Sequence, residues 1–205
     1  GVGGGFTGPV ATPNDYSDDH VDTSSAIGLL VVVPSFKLAL VGAGTTRYTG
    51  LEITGLSGSL AGVPGLTFTV SAGVLQFNTA STGPRLNWSQ VAFADPAAPT
   101  FTMDNTITLH VEGTVTINAF NFVSGSAHFD LTFRDVSIQI GGDTIASTLM
   151  TFALTNPSFS IGDPSGPHLS VGGGTFALAV IKAKPPTTIG ATDNRVWTSL
   201  RAAGL

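Results

Sequence analysis

The chain contains no cysteine. Disulfides, thiolate metal centres and cysteine nucleophiles are excluded with it. Charge is scarce as well: Asp, Glu, Lys and Arg make up 10% of the 205 residues, against about a quarter in an ordinary globular domain. The eight basic residues are scattered singly and the formal net charge is −5. No basic patch is present to displace counterions from a phosphate backbone, which argues against a nucleic-acid partner. No apolar run reaches the roughly 18 residues of a membrane-crossing helix, so no membrane span is expected. Only two glutamates occur, Glu52 and Glu112, and only two Trp and two Tyr. The start, "GVGGGFTG", has no Met and no signal-peptide pattern, as expected of a mature, processed or excised chain.

What is abundant points to strands. Mean hydropathy is +0.34 and 42% of residues are hydrophobic, too apolar for intrinsic disorder. Twenty-six Gly and twelve Pro accompany Thr, Ser, Val, Leu and Phe, a mixture that favours strands and turns over helices. Period-2 alternation dominates. In Ile107–Ile117, "ITLHVEGTVTI", odd positions are apolar or Gly, and even positions are polar, which describes a half-buried strand. In "AHFDLTFRDVSIQI" the apolar phase runs through Phe129, Leu131 and Phe133 and then shifts to Val136, Ile138 and Ile140. A bulge or bend is expected at Arg134–Asp135. "LTFTVSAGVLQF" shifts in the same way around Gly73 to Leu75. Further strands are expected at Leu29–Val33, Ser35–Val41, Thr49–Thr54, Thr148–Thr155 and Thr175–Lys182, separated by Gly/Pro turn clusters. Residues 1–27 are rich in Gly, Pro, Ser and Asp and read as an arm or linker.

The chain also repeats itself. "DTSSAIGLLVVVPSFKLALV", from Asp22, lies over "DPSGPHLSVGGGTFALAVI", from Asp163, so that Phe36, Leu38 and Leu40 fall on Phe176, Leu178 and Val180. After a loop the match resumes. Tyr48-Thr49 falls on Trp197-Thr198, Leu51 on Leu200, and Gly55-Leu56 on Gly204-Leu205. This match overrides the short helical pattern of Asn194–Ala203 and makes it a strand. The expected organisation is an arm at 1–27, one β-unit at 28–167, and the start of a next unit at 168–205.

Together, "NPSFSIGDPSGPHLSVGGGTFALAVIKAKPP", "GLSGSLAGVPGLTFTV" followed by "NTASTG", and "VEGTVTINAFNFVSGSAHF" resemble the tandem repeats, of about 140 residues, of very large bacterial secreted or surface proteins of the adhesin type. The resemblance covers nearly all of residues 28–205. It implies an extracellular, all-β, non-catalytic scaffold and carries no catalytic or binding residues to transfer.

Candidate sites each have a plain alternative. "NDYSDDHVD" places Asn14, Asp15, Asp18, Asp19 and Asp22 in one segment, and Asp15, Asp18, Asp19 and Asp22 are candidate Ca²⁺ ligands. The spacing is not that of an EF-hand, and the same residues suit a solvated linker. His110 and His128 lie on polar strand phases and, with Glu112 or Asp130, can form a metal site or an acid–base pair across a hairpin; exposed strand histidines are the plain alternative. No nucleophile elbow or phosphate loop is present, and no enzymatic activity is expected. Trp88, Trp197, Tyr16 and Tyr48 are candidates for a glycan-stacking platform or for packing.

The expected fold is all-β and mainly antiparallel, a sandwich or rolled sheet with strand exchange between neighbouring units; an elongated solenoid-like stack is the alternative. An outer-membrane barrel is disfavoured by the lack of aromatic girdles. The expected function is a structural module of an extracellular fibre, sheath or giant adhesin, in which residues 168–205 complete a neighbouring copy or adjacent repeat. The alternative is a Ca²⁺-assisted module that binds carbohydrate, such as a surface glycan, or another cell-surface ligand.

Overall fold

A computed structural model describes residues 27–163, 165–186 and 192–204, together with the backbone of 6–7 and 20–21. Two short strands, β1 (Phe6–Thr7) and β2 (His20–Val21), pair antiparallel in a small ladder of their own. The main body comprises β3 (Gly28–Val32), β4 (Ser35–Ala43), β5 (Thr46–Ala61), β6 (Leu66–Ala80), β7 (Ile107–Ala119), β8 (Val123–Ile140), β9 (Asp143–Gly162), β10 (His168–Gly172), β11 (Thr175–Ala183) and β12 (Val196–Ala203). These ten strands form one open sheet in the order β12-β11-β9-β8-β7-β6-β5-β3, with β4 also on β5 and β10 also on β9. Every pairing is antiparallel. The fold is therefore all-β and antiparallel, as the alternation predicts. The stretch 196–203 is a strand, and Trp88–Gln90 forms a single 3₁₀ turn.

Alternation sorts the side chains onto two faces. One face carries a complete apolar row across eight strands. Phe36, Ile53, Leu75, Val111, Leu131, Phe152, Leu178 and Leu200 stand in directly opposed register from β4 to β12. Among the described residues no second layer of strands lies on this face: the close element-to-element contacts are between sheet neighbours. Its margins are open to solvent, with Phe36 59% and Leu200 63% exposed. The opposite face is polar in its middle. It is covered near β4–β6 by the long connection 81–106, whose Trp88, Phe101 and Met103 are buried together with Ala39.

Register shifts interrupt the β5–β6, β6–β7, β7–β8 and β8–β9 ladders, and two of them bear on the expected changes of phase. In β6 an extra residue between Ser71 and Val74 breaks the step with β7, and Ala72 adopts φ +51°. This is the phase shift expected near Gly73. The bulge or bend expected at Arg134–Asp135 is not in β8. The β8–β9 ladder runs without interruption from His128 to Ile140, and the irregularity lies instead in β7, between Ile107 and Leu109. The reason is that burial changes sides at this end of the sheet. Asp135 is held by Arg85 and Lys184, each at 2.6 Å. Val136 and Ile138 stand opposite Ser147 and Ile145, both buried. Apolar residues are accommodated on either face there, so β8 needs no inserted residue.

Candidate functional site

The internal sequence repeat is also a repeat of register. On one side of the sheet, the broken pair β3 and β4 borders the long strand β5; on the other, β10 and β11 border β9. Within the first unit Val41 stands opposite Tyr48, Leu40 opposite Thr49, and Leu38 opposite Leu51. Within the second, Ile181 stands opposite Trp197, Val180 opposite Thr198, and Leu178 opposite Leu200. These are the residues that the sequence alignment superimposes. β11 thus occupies the place of β4, and β12 the place of β5. The neighbours differ. β11 has β9 on its other side, whereas β4 has no partner there among the described residues. β5 has β6 on its other side, whereas β12 has none among them. Each outer edge therefore lacks the strand that its equivalent possesses. A free edge presents unpaired N–H and C=O groups, a template for further pairing.

Close backbone approach accompanies the second junction. Gly174, at φ +77°, joins β10 to β11, and a Cβ there would lie 2.5 Å from the carbonyl oxygen of Ala203. "VGGGTF" is thus a close-packed strand junction rather than a ligand loop.

A second feature crosses the polar face. Lys37, Glu52, Gln76, His110, Thr132 and Thr151 stand in directly opposed register on β4 to β9. Glu52 is buried at 1% exposure and every contact it makes favours its charge. Lys37 Nζ lies 2.6 Å from Oε1. Oε2 accepts hydrogen bonds from the Thr102 hydroxyl (2.6 Å), the Thr102 amide (3.0 Å) and Gln76 Nε2 (3.1 Å). Burial by itself raises the Glu52 pKa, but the hydrogen bonds from Lys37, Thr102 and Gln76 outweigh it and hold the carboxyl down to about 2. Because Thr102 belongs to the 81–106 connection, this carboxylate also fastens that connection to the sheet.

Next along the row, His110 approaches two carboxylates. Its Nε2 lies 3.8 Å from Glu112 Oε2 and 3.5 Å from Asp130 Oδ2. The β7–β8 register puts Glu112 directly opposite Asp130. Of the combinations open in the sequence, the structure assembles His110 with both acids. His128 shares the face but stands opposite Thr114, outside the cluster. His168 is exposed, its Nδ1 at 2.9 Å from the Gly166 carbonyl. The candidate calcium ligands Asp15, Asp18, Asp19 and Asp22 lie outside the described residues, as does Tyr16. Among the described residues the aromatic platform is not formed: Trp88 is buried with Tyr48 packed against its cluster, while Trp197 lies on β12 beside Arg195.

Sequence reasoning missed the role of 81–106, which has no strand periodicity to mark it. It also missed Gln76, whose side chain links Glu52 to His110. The available signal was Gln76 on the polar phase of its strand, the phase that also carries Glu52 and His110 on the neighbouring strands.

No family model, curated protein or solved structure matches this chain. Its function has to be argued from the geometry. No helix among the described residues is long and apolar enough to cross a membrane.

Proposed function

We propose that the chain is a non-catalytic structural module of an extracellular fibre, sheath or giant adhesin, which associates with copies of itself or with adjacent repeats through its strand edges. The observation that carries this reading is the shared register of β4–β5 and β11–β12. Two segments that make the same pairings are interchangeable in principle. A neighbouring unit can place its β4 on β9 where β11 now lies, with its Phe36 opposite Leu154, its Leu38 opposite Phe152 and its Leu40 opposite Met150. The side chains brought there match those of β11 in size and phase, so the exchange replaces one ladder with an equivalent one. Local concentration then decides between the closed and the exchanged arrangement. A head-to-tail contact of this kind propagates unless it closes into a ring. In the joined state each unit adds seven strands, β3–β9, to one continuous sheet, with β3 and β4 sharing one position beside β5. The resemblance to secreted tandem repeats supplies the extracellular setting.

A chain ending at Pro167 tests this reading. It retains β3–β9 but exposes the β9 edge that β10–β12 cover. Analytical ultracentrifugation should show oligomers for the shortened chain, larger than those of the full chain at the same concentration. A peptide of residues 168–205, added in excess, should reoccupy β9 and disperse them. A shortened chain that stays monomeric, or oligomers that ignore the peptide, would remove the basis for the proposal.

A further inference from the structure

We propose that His110, Glu112 and Asp130 bind one divalent transition-metal cation of the zinc class. The inference is independent of the self-association reading. His110 and Glu112 are two residues apart on β7 and so share a face, and Asp130 is the directly opposed residue on β8. One ligand atom from each of the three lies within 4.8 Å of the other two. Ligands held at about 2.0–2.1 Å from a tetrahedral zinc ion stand about 3.3 Å apart. The 3.5 and 3.8 Å separations from His110 Nε2 are close enough for small side-chain rotations to complete such a set.

An observation outside the triad places a proton on Nδ1 of the imidazole. Gln76 Nε2 donates to Glu52 Oε2 at 3.1 Å and to Thr102 Oγ1 at 2.8 Å. The amide oxygen of Gln76 is therefore the atom that faces His110 Nδ1, at 3.3 Å. An oxygen there accepts a hydrogen bond only if Nδ1 carries a proton. With Nδ1 so occupied, Nε2 faces the two carboxylates, and in the neutral imidazole it is the ligating nitrogen, the orientation that outer-sphere partners impose on metal-ligating histidines. Asp130 is oriented as well: its Oδ1 accepts from the Thr132 hydroxyl at 3.0 Å, leaving Oδ2 toward the imidazole.

Electrostatics favour a cation between these groups. Like charges directly opposite each other on neighbouring strands repel, and among the described residues no Lys or Arg lies within ion-pair distance of Glu112 or Asp130. Arg134 lines the same depression of the polar face. A lone pair confronting two anions calls for a proton or a metal ion. One imidazole nitrogen with two carboxylate oxygens suits zinc, cobalt or manganese rather than calcium, which takes an all-oxygen shell. The site borders solvent, so the ion would be reached without opening the sheet.

Isothermal titration of the chelator-treated full chain with zinc chloride, and the visible spectrum on adding cobalt(II), test the proposal. One equivalent should bind per chain, and the melting temperature should rise with zinc. His110→Asn, Glu112→Gln and Asp130→Asn should each weaken binding at least about ten-fold, while the melting temperature without metal confirms that each variant folds. His128→Asn and His20→Asn should bind as the parent does. The absence of saturable uptake would overturn the proposal. So would binding that survives His110→Asn and disappears in His20→Asn or His128→Asn.

Discussion

Replacing Trp88 with alanine should lower the unfolding free energy by about 3–5 kcal/mol, the usual range for a large aromatic removed from a packed site. Trp88 is 1% exposed and its ring centroid lies 5.2 Å from that of Phe101. Its Nε1 donates to Asn78 Oδ1 at 3.0 Å, and Asn78 Nδ2 in turn donates to the carbonyl oxygens of Leu86 and Asp104, each at 2.9 Å. Removing the indole therefore leaves a cavity and takes the donor from the buried Asn78 Oδ1. The sheet is shaped to receive this ring: a Cβ at Gly50 would meet Trp88 ring atoms at 2.6–2.9 Å. Gly50→Ala should accordingly destabilise the same region although it adds only a methyl group, because the ring must shift and the 81–106 connection with it. Urea unfolding followed by circular dichroism checks both. A Trp88→Ala midpoint close to that of the parent would show that the connection contributes little to the fold.

The acid dependence of stability should be dominated by Glu52. Its carboxyl is held at about 2 in the folded chain, against 4.5 when unperturbed. A depressed pKa stabilises the fold above the unfolded value, and that contribution is lost as pH falls through the folded value. The full effect is then present above about pH 5 and disappears progressively toward pH 2. At about 1.4 kcal/mol per pKa unit it amounts to roughly 3 kcal/mol at neutral pH. Glu52→Gln should cost about that much at pH 7, and the difference from the parent should shrink as the pH is lowered toward 2. Parallel stability curves for parent and variant between pH 7 and pH 2 would refute this assignment.

How far these features were legible depends on whether they are periodic. β7, β8 and β11 follow from alternation, because a strand with one wet face must place apolar residues at every second position. The β6 irregularity was visible as a change of phase near Gly73. The Arg134–Asp135 shift looked the same in sequence but has another cause, a change in which face is buried, and period-2 patterns do not separate the two. The pairing of Phe36, Leu38 and Leu40 with Phe176, Leu178 and Val180 was readable because a repeat preserves register along with residue type. Trp88, Phe101 and Met103 were not readable as a core, since their burial depends on Gly50 and Asn78 lying beneath an aperiodic connection. The His110–Glu112–Asp130 cluster was half legible. His110 and Glu112 share a phase, but bringing Asp130 opposite depends on the β7–β8 turn. That turn places Phe120 and Asn121 at φ +55° and +56° without a glycine to announce it.

The interchangeability of the two end segments is tested most directly by a disulfide in a chain that has no cysteine of its own. In a chain ending at Pro167, Leu38→Cys and Phe152→Cys place one thiol on β4 and the other on β9. Four strands separate β4 from β9 within one sheet, so the two cannot join inside a single molecule. If a neighbour's β4 takes the place of β11, the two thiols face each other across adjacent strands, and mild oxidation should yield a ladder of head-to-tail multimers. Moving the second thiol from Phe152 to Leu149, on the opposite face, should suppress the ladder. No ladder, or one equally strong with Leu149→Cys, would contradict the equivalence of the two edges.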